Sequence, residues 1–140
     1  MQALLGIYNL NDIEQKIKWR KQQTAYIYEK LKDIKSIKIY QYNEKEESNY
    51  FSPVILCNDG LTIAKQLNQE GIINSTGTFG LIPANERKVI QDYCNGKVDY
   101  DRMITPNSKR LFNNIIALSI IENTDQYKLD NIIENIRKIL

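Results

Sequence analysis

QALLGIYNLNDIEQKIKWRKQQTAYIYEKLKDI, residues 2–34, is the stretch whose reading decides the fold. Leu10, Ile13, Ile17, Thr24, Ile27, Leu31 and Ile34 recur at three- and four-residue intervals, which places them on one face of a helix. Lys16, Lys18, Lys21, Glu29 and Lys30 fall on the other faces, where they stay in water. The spacing predicts one long amphipathic helix over 2–34. Arg20 breaks the stripe in its middle, against a clean coiled-coil seam. Gly6 weakens the first turns and allows close packing there. Trp19 lies off the stripe and suggests a second contact surface.

Downstream, Ile37–Tyr42 alternates in strand fashion, with Ile37, Ile39 and Gln41 on one face and Lys38, Tyr40 and Tyr42 on the other. A polar turn, Asn43–Asn49, leads to a second strand, Tyr50–Cys57, so an antiparallel pair is expected. Pro53 suggests an edge position or a bulge for that strand. Asn58-Asp59-Gly60 carries turn and N-cap signals for a short helix marked by Leu61, Ala64 and Leu67. Gly71 suits a left-handed position just past its end. Ile72–Thr78 reads as extended again. Between Phe79 and Asn114, Gly80, Pro83, Gly96 and Pro106 punctuate an irregular stretch, with helical turns around Asn85–Tyr93 and Asn107–Asn113. Ile115–Ile121 is a continuous apolar run that reads as a central buried strand. Thr124-Asp125 caps a last helix with Leu129, Ile132, Ile133, Ile136 and Ile139 inward. The order is a long helix followed by β-β-α-β-(irregular)-β-α. The expected fold class is α+β, a small, mostly antiparallel sheet covered on one face by helices. The 140 residues fit one domain, with 1–34 the opening helix and 35–140 the small α+β body.

Composition excludes more chemistry than it suggests. Hydrophobic residues are 42% and charged residues 26%, and the net charge is +2 with the lysines dispersed, which argues against nucleic acid. There is no histidine, so Ser-His and Cys-His nucleophile pairs are impossible. Cys57 and Cys94 alone cannot build a zinc site, and Cys57 reads as a buried core thiol. No apolar run approaches the roughly 20 residues that span a bilayer, and no signal-peptide pattern opens the chain. A cytoplasmic location with no membrane contact is the expectation.

Nucleotide-binding glycine motifs, hydrolase elbows and zinc-protease motifs are absent from the sequence. Asp99-Tyr100-Asp101 lacks the further oxygen ligands that calcium needs, and Glu44, Glu46 and Glu47 sit in a turn with Lys45, the wrong place for paired-carboxylate catalysis. Tyr40, Tyr42, Tyr50 and Phe51 could form a stacking platform, but the adjacent glutamates oppose a nucleic acid there. Asn74-Ser75-Thr76-Gly77-Thr78 clusters hydroxyls, an amide and a glycine, a composition that binds phosphate or hydroxylated ligands and is also common in loops. No residue set in the chain carries catalysis unaided.

The opening helix also carries a resemblance. Gln2-Ala3-Leu4-Leu5-Gly6-Ile7, then Leu10, Ile13 and Lys16 to Arg20, then Tyr26, Tyr28 and Leu31, is similar to the helix of DegT/DnrJ/StrS-type aminotransferases that links their large and small domains. Tyr50–Cys57 with Pro53 resembles the family's "y-x-x-P-v" strand. Leu61–Gly71-Ile72 resembles its "L-x-x-x-G-I" helix and turn. Asn107–Ile120 and Thr124–Leu140 resemble its last strand region and closing helix. Ser119 departs from the family's usual proline, and Asn74–Phe79 replaces a stretch that in relatives faces the sugar, with Phe79 the candidate for an aromatic position there.

The resemblance implies the C-terminal small domain of a pyridoxal-phosphate (PLP) enzyme with the aspartate-aminotransferase fold, acting on a nucleotide-sugar substrate and working as a homodimer. In that family the Schiff-base lysine and most cofactor ligands precede this helix. The implication is therefore no catalytic, cofactor-binding or metal residue in this chain, with PLP held by a large PLP-binding domain as partner. The substrate-facing candidates are Asn74, Ser75, Thr76, Thr78 and Phe79. The chain would close the substrate cleft and be inactive without the large domain. The alternative is a stand-alone α+β interaction or regulatory module without catalytic activity, which includes a remnant that pairs with a full-length homologue.

Overall fold

The computed structural model describes residues 2–40, 48–76, 80, 82–95, 97, 105–120 and 124–140. The opening stretch is helical but interrupted: α1 spans Gln2–Asn11 and α2 spans Ile13–Leu31. Asp12 between them has φ −107° and ψ 5°, outside helical values, although its carbonyl still accepts from the Lys16 amide at 3.0 Å. The single helix expected over 2–34 thus breaks at Asn11-Asp12, two side chains that compete with the backbone for hydrogen bonds and favour helix starts over interiors.

β1 (Ile37–Ile39), β2 (Val54–Cys57) and β3 (Ile115–Ala117) form an antiparallel sheet in the order β1-β2-β3. Ile37 faces Cys57, and Ile55 lies between Ile39 and Ile116. The expected β1–β2 pair is present, but the two positional expectations exchange places. The Pro53 strand is central and the Ile115 strand lies beside it at the ladder's end. Pro53 precedes the paired residues, so its missing N–H is never needed. It contributes only its carbonyl, to the Leu118 amide at 2.9 Å. The extended reading of Ile72–Thr78 also narrows: Asn74 makes one isolated bridge to Leu118, and Ser75 and Thr76 already turn helically. Gln41, Tyr42, the Glu44–Glu47 turn and Asp99–Asp101 lie outside the described residues.

α3 (Gly60–Gln69) follows the Asn58-Asp59 turn, in which Asp59 is left-handed (φ 56°) and makes no side-chain cap. A Cβ on Gly60 would sit 2.6 Å from the Asn114 carbonyl carbon, so glycine is required where α3 begins. The helix ends in a Schellman motif. Gly71 has φ +80°, its amide bonds the Asn68 carbonyl at 3.1 Å, and the Ile72 amide bonds the Leu67 carbonyl at 2.9 Å. A 3-10 turn (Ala84–Glu86), α4 (Lys88–Cys94) and α5 (Pro106–Asn114) fill the described part of the irregular stretch. α6 (Gln126–Ile139) closes the chain, capped by the Asp125 carboxylate accepting from the Lys128 amide at 2.8 Å.

One face of the sheet, with Ile37, Ile55, Cys57, Ile116 and Leu118, packs under Ile27 and Leu31 of α2, Ala64 and Leu67 of α3, and Leu129, Ile133 and Ile136 of α6. This is the expected α+β layer. α2 is pinned by polar ties as well. The Tyr28 hydroxyl accepts from the Val54 amide at 2.8 Å and donates to its carbonyl, Tyr26 donates to Asp130 at 2.6 Å, and Arg137 bonds both Asp33 and the Lys30 carbonyl.

Candidate functional site

The sequence points to Asn74–Phe79, and the structure places the described part of it where β3 ends and α3 turns back. Asn74 is fully buried; its amide donates to the Ala64 carbonyl at 2.8 Å and the Ile72 carbonyl at 3.2 Å. Thr76 is fully buried too, its hydroxyl accepting from the Ala117 amide at 3.3 Å. Both side chains anchor the segment to α3 and to the sheet. Ser75 between them is half-buried. Thr78 and Phe79 lie outside the described residues. The Ser119 amide bonds the Ile73 carbonyl at 3.2 Å, so the segment and the end of β3 are held as one unit.

Acid–base chemistry has little to work with. Burial, and then the charge of Asp59, push the Cys57 thiol up to about 11, so it stays protonated and inert at neutral pH. Both described cysteines are free thiols. Arg137 holds the Asp33 carboxyl below its ordinary value, and the hydrogen bond to Asp130 raises Tyr26; both contacts tie α6 to α2 or the turn that follows it, the first exposed and the second part-buried. Among the described residues no group of acidic, cysteine or histidine side chains could hold a metal ion.

A second surface has no counterpart in a sequence motif. Leu4, Ile7, Leu10 and Ile13 are 72%, 59%, 63% and 45% exposed, a run of exposed apolar residues from α1 into the start of α2. Among the described elements, α1 makes substantial contact with α2 alone. Among the described residues nothing lies within 4 Å of the position a Cβ on Gly6 would take. Single exposed leucines are ordinary, but several large apolar residues left bare on one short helical stretch mark an interaction surface. The sequence placed Leu10 and Ile13 on the amphipathic stripe; that they stay exposed, together with Leu4 and Ile7, was not legible in it.

Comparison with known proteins follows the same division. The profile of the DegT/DnrJ/EryC1/StrS aminotransferase family matches residues 1–137. No curated protein sequence matches significantly. Among solved structures, PseC of Helicobacter pylori, an aminotransferase involved in the biosynthesis of pseudoaminic acid, superposes with a TM-score of 0.80 at 17% identity, over 99% of this chain and 36% of PseC. A DegT DnrJ EryC1 StrS aminotransferase from Brucella abortus gives 0.71 at 19% identity, over 94% of this chain and 33% of its own. Spr1654 of Streptococcus pneumoniae in its PLP form gives 0.75 at 18% identity, over 97% and 35%. The chain thus spans about a third of the length of these relatives. With the family profile covering nearly every residue, this chain belongs to the DegT/DnrJ/EryC1/StrS aminotransferase family.

Proposed function

We propose that this chain serves as the C-terminal domain of a PLP-dependent nucleotide-sugar aminotransferase, closing one side of the substrate cleft while the cofactor is held by a large domain outside it. The observation that carries the reading is the opening helical stretch, whose apolar residues Leu4, Ile7, Leu10 and Ile13 are exposed at its N-terminal end while Ile27 and Leu31 are buried at its C-terminal end. Apolar residues buried at one end and exposed at the other are what a helical stretch shared between two bodies requires.

The residues described here do not fit the cofactor itself. A lysine that forms a Schiff base acts from a desolvated pocket, where its amine is kept neutral. Every described lysine except the half-buried Lys16 is exposed. The chain's own contribution is therefore positioning and water exclusion. In this reading Asn74 and Thr76 hold the 74–79 segment rigid. Ser75, with Thr78 and Phe79 beyond the described residues, is then left to meet the sugar. The complete enzyme would be a cytoplasmic homodimer that transfers an amino group to a keto-sugar nucleotide. Among the described residues no helix is long and apolar enough to cross a membrane.

Borohydride reduction of the chain after incubation with PLP tests the division of labour. The expected result is low, scattered pyridoxyl labelling across several lysines and no visible internal-aldimine band. Stoichiometric labelling of one lysine with a visible band would overturn the reading. The stand-alone interaction module has the same exposed apolar residues in its favour and gives the same labelling result, so a different experiment separates the two. A partner copurifying with the full-length gene product through α1, and lacking any cofactor lysine, would replace the first reading with the second.

A further inference from the structure

The end of the sheet where β1 and β3 begin and β2 finishes opens into a groove of about 780 Å³. Lys35 and Lys38 border it from the corner between α2 and β1, and Arg110 borders it from α5. The amides of Asn58 and Asn114 add neutral hydrogen-bonding groups, and Leu111, 47% exposed, adds apolar surface. The close approach of Gly60 to the Asn114 backbone joins α3 to α5 beside it.

The charge at this groove is unbalanced. Lys32, Lys109, Lys128 and Arg137 each pair with a carboxylate. Among the described residues Lys35, Lys38 and Arg110 do not; Arg110 reaches only the Asn107 side-chain oxygen, at 3.5 Å. Among the described residues no carboxylate lines the groove. The Asp59 carboxylate, next to Asn58, is close enough to raise the groove-lining Cys57 thiol, and it offsets only part of the three positive charges. Three cations bordering one concavity attract an anion more strongly than dispersed ones, and phosphate accepts several charge-assisted hydrogen bonds at once. The volume is within the usual range of about 300–1,000 Å³ for small-molecule sites and exceeds what inorganic phosphate alone would fill.

We infer that this groove binds a phosphorylated small molecule, its phosphate held by Lys35, Lys38 and Arg110 and its organic part lying against Leu111. The site is at the opposite end of the sheet from Asn74, which bridges Leu118. It rests on neither the bare helix nor the 74–79 segment, so it stands or falls separately from the proposed function.

Amide chemical shifts of the 140-residue chain, followed during titration with phenyl phosphate and with inorganic pyrophosphate, test it against sodium chloride at matched ionic strength. The expected result is saturable shifts confined to residues 35–38, 58 and 107–114 with both phosphates. Lys38→Gln with Arg110→Gln should weaken binding about tenfold, since two charge-assisted contacts are lost. Lys65→Gln, an exposed lysine on α3, should leave it unchanged, and both variants should melt with the parent chain. Shifts no larger than those of chloride would overturn the inference. So would shifts spread over all lysines, or equal weakening by Lys65→Gln.

Discussion

The two ends of the opening helical stretch both carry apolar residues at helical intervals and meet different surroundings. At its C-terminal end Ile27 and Leu31 are fully buried, Thr24 nearly so, and Tyr26 and Tyr28 are bonded to α6 and β2. At its N-terminal end Leu4, Ile7 and Leu10 are mostly exposed, and among the described residues none comes within 4 Å of a Cβ built on Gly6. Apolar periodicity thus specifies a helix face that must be covered without specifying which body covers it. The break at Asp12 is offset from this change: Ile13, on the far side of the break, is still 45% exposed. Burial therefore follows the reach of the sheet and α6, and the helix ends do not set it.

Truncation separates the two halves most strongly. Ile27→Ala should cost about 2–5 kcal/mol, because it leaves a cavity under the sheet, whereas Leu10→Ala should stay within about 0.5 kcal/mol in this chain. Urea denaturation of both variants measures the difference, and equal losses would break the comparison. Tyr28→Phe is next. It removes both bonds to the Val54 peptide and should cost about 1–3 kcal/mol in the same assay.

A smaller effect tests the polar ties at the buried end. Arg137 keeps the folded-state carboxyl of Asp33 below its ordinary value of 3.8. A lowered folded value means that the stabilisation is present above the unfolded value and is lost as pH falls through the folded one. Melting temperature should therefore drop less steeply between neutral and acid pH in Arg137→Gln than in the parent chain. Smallest of all in stability is Leu4→Ser with Leu10→Ser, which should leave melting unchanged while reducing binding of a hydrophobic dye to the bare face. Unchanged dye binding would mean that the stripe is not the chain's accessible apolar surface.

Much of the fold was legible in local patterns. Gly71 announced the end of α3, Asp125 the start of α6, and Ile37–Ile39 with Val54–Cys57 an antiparallel pair. What failed depended on neighbours distant in sequence. Pro53 reads as an edge signal only if its amide position falls inside the ladder, and here it falls one residue before. Ile115–Ile121 is apolar enough for a central strand, yet its outer neighbour is a single bridge from Asn74. The small polar run at Asn74–Thr76 has a composition that binds hydroxylated ligands and is also common in loops, and the sequence did not show which side chains are committed to the fold. Two of its described side chains proved to be anchors, because a buried backbone turn must have its polar groups satisfied. The cationic groove could not be read at all, since Lys35, Asn58 and Arg110 come together only once the sheet has formed.

Residue-resolved hydrogen–deuterium exchange on the 140-residue chain tests most directly whether one stripe is divided between two bodies. Amides of Gln2–Asn11 should exchange within the time of local helix fraying, while those of Thr24–Leu31 should exchange only with global unfolding. Equal protection along both would contradict the account, because it would mean that this chain alone covers the whole stripe.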